Sequence, residues 1–191
     1  MGFRVATAEQ ARQLLSLSGV VRPQPLSDWT GAFPIPPAIE RFYREVGPAD
    51  VYIESYGNPF FLPSLSKLWQ FQAGYRWNGL SGEPVADWRD DWLVVADQGG
   101  DPFILSRSSG AVLHDEHGRG MWQPGELFPD LYTMAACLGQ LGAVVASAGE
   151  CFTDEDCRIR PEWRDEALMG LRHLLGSPWA AEFVLGSLGW R

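Results

Sequence analysis

Positive charge is scarce in this chain. Its 191 residues carry 15 Lys and Arg against 24 Asp and Glu, a formal net charge of −9, and Lys67 is the one lysine. That balance has the wrong sign for a surface that neutralises nucleic-acid phosphates or anionic lipid, so neither direct nucleic-acid binding nor membrane binding is expected. Cysteine is scarcer still. Cys137, Cys151 and Cys157 are odd in number and irregular in spacing, which excludes a disulfide framework, a C-x-x-C redox pair and a zinc knuckle. Glu9, Gln10, Arg12 and Gln13 break up residues 1–20, so no signal-peptide core can be drawn there, and a reducing cytoplasm is the expected location.

Other signatures are missing as well. There is no internal repeat, and no phosphate-cradling glycine motif follows a strand and opens a helix. Gly79-Leu-Ser-Gly82 lacks the spacing of a nucleophile elbow. The longest weakly polar run, Leu131 to Gly149, contains Gln140 and only borders on a membrane span, so it reads as a buried helix.

What is present is enough apolar residue for a core. Hydrophobic side chains make up 46% of the chain and charged ones 20%, the composition of one globular domain. The 21 glycines and 14 prolines imply many turns between short elements.

Thr7 and Gln10 form a capping-box pattern ahead of Ala11, Leu14 and Leu15, which predicts a first helix that stops near Gly19. Residues 22–37 hold five prolines, Pro23, Pro25, Pro34, Pro36 and Pro37, and read as an extended arm. Ile39, Phe42, Tyr43 and Val46 then repeat at helical spacing after Pro37 and before Gly47-Pro48. Val51 and Ile53 predict a short strand, and Ser64 to Ala73 a helix with Leu65, Leu68 and Trp69 on its apolar side. Trp92–Ala96, Pro102–Leu105 and Ala111–His114, separated by Gln98-Gly-Gly-Asp101 and Arg107–Gly110, predict an antiparallel meander. Helices are expected again from Pro129, from Pro161 to Leu175 and from Pro178 to Leu188, the last capped by Ser177. Helices, then strands, then helices is the pattern of an α+β fold around a central antiparallel sheet. Within a single domain, residues 1–34 form a helix and arm, 35–149 the α+β core, and 150–191 a helical extension packed on that core.

Ile35-Pro-Pro-Ala-Ile-Glu-Arg-Phe-Tyr-Arg-Glu-Val46, Trp92-Leu-Val-Val-Ala-Asp97, Gly99-Gly-Asp-Pro-Phe103 and Gly110-Ala-Val-Leu113 occur in an order that resembles the SUKH superfamily, which includes the fungal cell-wall assembly regulator and many bacterial immunity proteins. The resemblance covers residues 35 to 142. It implies an amphipathic helix packed on an antiparallel sheet whose Gly-Asp turn (Asp97, Gly99, Gly100, Asp101) is structural. It also implies a non-catalytic protein that binds and neutralises a cognate toxin, often a nuclease, with no catalytic residues to carry over. The fungal relatives imply an alternative, an intracellular adapter with no toxin partner. The chain departs from the family in its Gly47-Pro48 turn and in its N- and C-terminal extensions.

An acidic protein suits the basic face that a nuclease presents to nucleic acid. Glu54, Asp90, Asp91, Asp101, Asp115 and Glu116, with Trp88, are therefore the expected contact residues for a protein partner such as a basic toxin domain. Asp87-Trp88 and Asp90-Asp91-Trp92 combine carboxylates and indoles, the groups that hold arginine and lysine side chains. Trp69, Trp92 and Trp179 fall on expected core faces, whereas Trp77 and Trp88 serve either as interface or as lid.

Asp97, Asp101 and His114 are the acid–base groups of a third reading, an enzyme. His114-Asp115-Glu116-His117 has metal-ligand types but no remote third ligand, and Cys151 and Cys157 flank the acidic run Asp154, Glu155 and Asp156, so neither a metal nor a cofactor is expected.

Overall fold

In the computed structural model, which describes residues 4–191, the expected α+β architecture is found. Thr7 opens α1 (Ala8–Leu15) with a reciprocal cap: its hydroxyl accepts from the Gln10 N–H, and the Gln10 side chain accepts from the Thr7 N–H. The proline-rich arm that follows is extended apart from one 3₁₀ turn at Leu26–Asp28. It delivers Pro37 to the first position of α2 (Pro37–Glu45), whose inner side buries Ile39, Phe42 and Tyr43.

Six strands follow: β1 (Val51–Ile53), β2 (Phe60–Leu62), β3 (Trp92–Gln98), β4 (Asp101–Ser106), β5 (Val112–His114) and β6 (Gly125–Phe128). They lie side by side in chain order, every pair antiparallel. The meander therefore extends beyond the expected strands. β2, a short Phe-Phe-Leu run between prolines, and β6, which opens on Gly125, are not anticipated from the sequence.

The helix expected over 64–73 is a correction. Only α3 (Leu65–Leu68) is α-helical, followed by a 3₁₀ turn at Gln70–Gln72. Ser64 does not cap it, because its hydroxyl donates to Asp50 Oδ1, and the chain bends so that the Gln72 amide can reach β3.

α4 (Leu131–Ala148), capped by Asp130 accepting from the Thr133 N–H at 2.7 Å, lies across one face of the sheet. Among the described residues one stretch, Leu131–Cys151, is long and apolar enough to cross a membrane, and 67% of its apolar window is buried inside the fold. Gly139 and Gly142 let neighbours approach α4 closely: a Cβ at Gly139 would sit 2.8 Å from the Leu14 backbone, and one at Gly142 would sit 2.2 Å from Ile53. α5 (Pro161–Leu175) and α6 (Pro178–Ser187) match their expected spans to within a residue, and Ser177 caps α6. A single buried cluster runs from Ala6 through the sheet and α4 to Trp190, so both terminal segments share the core's interior. Trp179 corrects another expectation. α6 buries Ala180, Ala181, Val184 and Leu185, leaving Trp179 63% exposed and stacked on Phe183.

Candidate functional site

The two sheet faces are built from different side chains. Leu93, Val95, Ala96, Phe103, Leu105 and Val112 join the helix-covered core, whereas Trp92, Val94 and Ile104 belong to a second cluster with Tyr75 and Trp88. Strict alternation along β3 would send Ala96 to the second face and Asp97 to the core. A β-bulge between Val94 and Ala96 prevents this: Val95 and Ala96 both enter the main core, and the phase of the strand is reset. Asp97 thereby reaches the second face, in a cross-strand row with Tyr52, Phe61 and Pro102.

Among the described residues no long helix covers this face; two largely irregular segments do. Residues 70–91 are tied down by Gln72, whose buried amide accepts from the Val94 N–H and donates to the Val94 C=O, both at 2.8 Å. β2 pairs with β3 only at Gln98 and Asp97, so the Gln72 side chain takes the place of a missing strand at Val94. Residues 115–124 are held by carboxylates. Asp115 Oδ2 accepts from the Gln123 N–H and Asp87 Oδ2 from the Trp122 N–H, each at 2.6 Å, while Asp101 Oδ1 accepts from the His117 N–H and lies 2.6 Å from its Nδ1. Trp122 then packs on Tyr75 and Trp88, with ring centroids 5.9 and 5.8 Å apart.

Between the two segments lies an open cleft of about 610 Å³, lined by Phe61, Pro63, Lys67, Gln70, Phe71, Ala73, Gly74, Tyr75, Asp97, Gly100, His117 and Trp122. A hollow of about 420 Å³ adjoins it across Phe61, Phe71 and Asp97, towards Tyr52, and another of about 290 Å³ lies beyond Trp122, towards Met121. Together they make an aromatic groove along the sheet.

Asp97 is its most perturbed acid. Burial raises its pKa and the Asp101 charge adds to the shift, against the Tyr75 hydroxyl, which donates to Oδ2 at 2.9 Å, and the Gly100 N–H. Burial and Asp97 together push the Tyr75 phenol upwards, so it remains a donor. The lysine and the histidine that line the cleft already have carboxylate partners, Lys67 with Asp50 at 2.7 Å and His117 with Asp101. Among the described residues, no ion pair includes Asp97.

The acidic residues singled out from the sequence do not form one patch. Asp97, Gly100 and Asp101 gather at the groove, with Glu116 in its flank, and Gly99 lines the smaller hollow. Asp90 and Asp91 sit at the other end of β3, about 20 Å away at the rise of a strand. The Asp90 side chain is 99% exposed and meets Arg76, while Asp91 accepts from the Ser106 and Ser108 hydroxyls. Glu54 is exposed just beyond β1. Asp115 and Trp88 correct the expected contact set: only 5% and 8% exposed, they hold the 115–124 segment and roof the second cluster. Trp77 is partly buried against Trp69, and Trp92 is buried in the second cluster.

The three groups of the enzyme reading do not converge. His114 pairs with Phe103 and packs against its ring at 4.7 Å on the helix side of the sheet, away from Asp97, and burial lowers its pKa. Among the described residues no cluster of three or more His, Cys, Asp or Glu has metal-binding proximity, and Cys151 and Cys157 are exposed free thiols. Phe61, Phe71, Gln72, Tyr75 and Trp122 escape the sequence reading as groove residues, since all five sit in irregular or short segments that carry no periodicity, and His117 is read only within a His-Asp-Glu-His run. No protein-family model, curated protein or solved structure matches the chain.

Proposed function

We propose that this chain is a non-catalytic, SUKH-like protein-binding domain that works in a reducing cytoplasm and neutralises a basic toxin domain by docking it on the groove face of the sheet. One observation carries the reading: the face without a long helix is an open groove of aromatic rings with carboxylates at its floor and rim. Half-buried aromatic rings beside charge are the composition of a protein-recognition site. The net charge of −9 favours a basic partner and speeds its encounter. Supporting this is the resemblance over residues 35 to 142.

The test is capture of partners from the native lysate with the tagged full chain, followed by mass spectrometry and a salt titration. Recovery of a basic toxin-like domain that is released by salt and no longer captured by Trp122→Ala supports the proposal. Recovery of a metabolic or regulatory protein in its place favours the adapter reading and overturns toxin neutralisation.

A further inference from the structure

Among the described residues, the carboxylate on the groove's floor has no cation partner. Asp97 is more than half removed from water, yet its polar contacts are the Tyr75 hydroxyl and the Gly100 N–H, both neutral. A carboxylate has about four acceptor directions, so two such contacts leave it capacity towards the cleft. Desolvated charge is costly unless paired, and the lysine and the histidine lining this cleft, Lys67 and His117, are committed to Asp50 and Asp101. Around the carboxylate stand the rings of Phe61, Phe71, Tyr75 and Trp122, each a surface on which a cation binds.

We propose that this cleft is a receptor for one arginine side chain of the partner, with the guanidinium paired to Asp97 and flanked by the aromatic walls. Arginine fits better than lysine on chemical grounds. Its planar, weakly hydrated head stacks on rings and presents a fork of donors to a carboxylate, whereas an ammonium is a compact and strongly hydrated charge. The volume, about 610 Å³, holds such a side chain together with its neighbouring backbone. The cleft thus selects a chemical group where the charge of the whole chain only attracts a basic surface. The inference rests on the groove being the partner-binding face, and it fails separately from that reading.

The experiment titrates the full-length protein with Nα-acetyl-arginine amide, following the tryptophan indole N–H resonances, with the citrulline and lysine analogues alongside. Saturable movement of the Trp122 indole with the arginine compound, absent with neutral citrulline and weaker with lysine, is the expected result. Asp97→Asn should weaken that response about tenfold or more, the weight of a hydrogen bond to a charged group. Because Asn still accepts from Tyr75, the variant keeps the local fold, which near-UV circular dichroism checks. Ala73→Trp, an exposed position on the cleft lining, should block the response without touching the core. An equal response to citrulline, or an unchanged one in Asp97→Asn, overturns the arginine receptor. Partner capture that survives Asp97→Asn but is lost in Trp122→Ala overturns it too, while leaving the groove as the docking face.

Discussion

On one face of the sheet, Leu93, Phe103, Leu105 and Val112 share one buried cluster with the aliphatic side chains of α4 and are wholly excluded from water. On the other, Trp92, Val94 and Ile104 meet rings and side-chain amides from two irregular segments, and a groove remains. The helix-covered face reaches closure through close backbone approach, with glycines on α4 admitting Leu14 and Ile53. The groove face depends on single polar ties, Gln72 to Val94, Asp87 to Trp122 and Asp101 to His117. Stability is thereby concentrated on one side and recognition on the other, a division that lets the recognition side keep an underpaired charge.

The contrast makes its strongest demand on the core. Phe103→Ala should cost about 3–5 kcal/mol, or about 6–20 °C of Tm for a chain of this size, read by thermal denaturation, while the folded fraction binds its partner unchanged. Gln72→Leu should cost about 1–3 kcal/mol by leaving the Val94 N–H and C=O buried and unpaired. Hydrogen exchange at the Val94 amide should accelerate in that variant while exchange in α4 does not.

Asp97→Asn should move stability the other way. Its raised pKa means the folded state takes up a proton more readily than the unfolded chain, so ionised Asp97 destabilises the fold above the ordinary carboxylate range, and that cost fades as pH falls through the folded pKa. At neutral pH the variant should unfold at a higher Tm than the parent, and it should lose this advantage in acid. Asp90→Lys should cost no more than about 1 kcal/mol, the weight of an exposed ion pair with Arg76, and leave groove binding intact, because Asp90 stands at the far end of β3.

The same contrast explains what the sequence disclosed. The helix-covered side is written in periodic signals: Ile39, Phe42 and Tyr43 on α2, and Pro161, Ser177 and Pro178 opening α5 and α6. The β3–β4 hairpin was equally legible, from a β-favouring run and the Gly99-Gly100 pair, whose positive φ values of 64° and 106° suit a two-residue turn. The groove is aperiodic. Asp97 could be read as a turn residue but not assigned to a face, because the bulge that turns it outward has no sequence signature. Tyr75 and Trp122 lie far apart in irregular segments, and their meeting depends on tertiary contacts. Charge alone grouped Asp90, Asp91 and Asp115 with Asp101, although Asp91, Asp101 and Asp115 are structural acceptors for serine hydroxyls or backbone N–H groups.

The most direct test of the division between the faces compares two aromatic residues that contribute little to the main core. Trp122 borders the groove, whereas Trp179 stands exposed on α6. Partner affinity would be measured by calorimetry for Trp122→Ala and Trp179→Ala. The account predicts a loss of about 2 kcal/mol or more for Trp122→Ala, as for an interface anchor, and none for Trp179→Ala. Retained affinity in Trp122→Ala with a loss in Trp179→Ala would move the docking surface to α6 and contradict it.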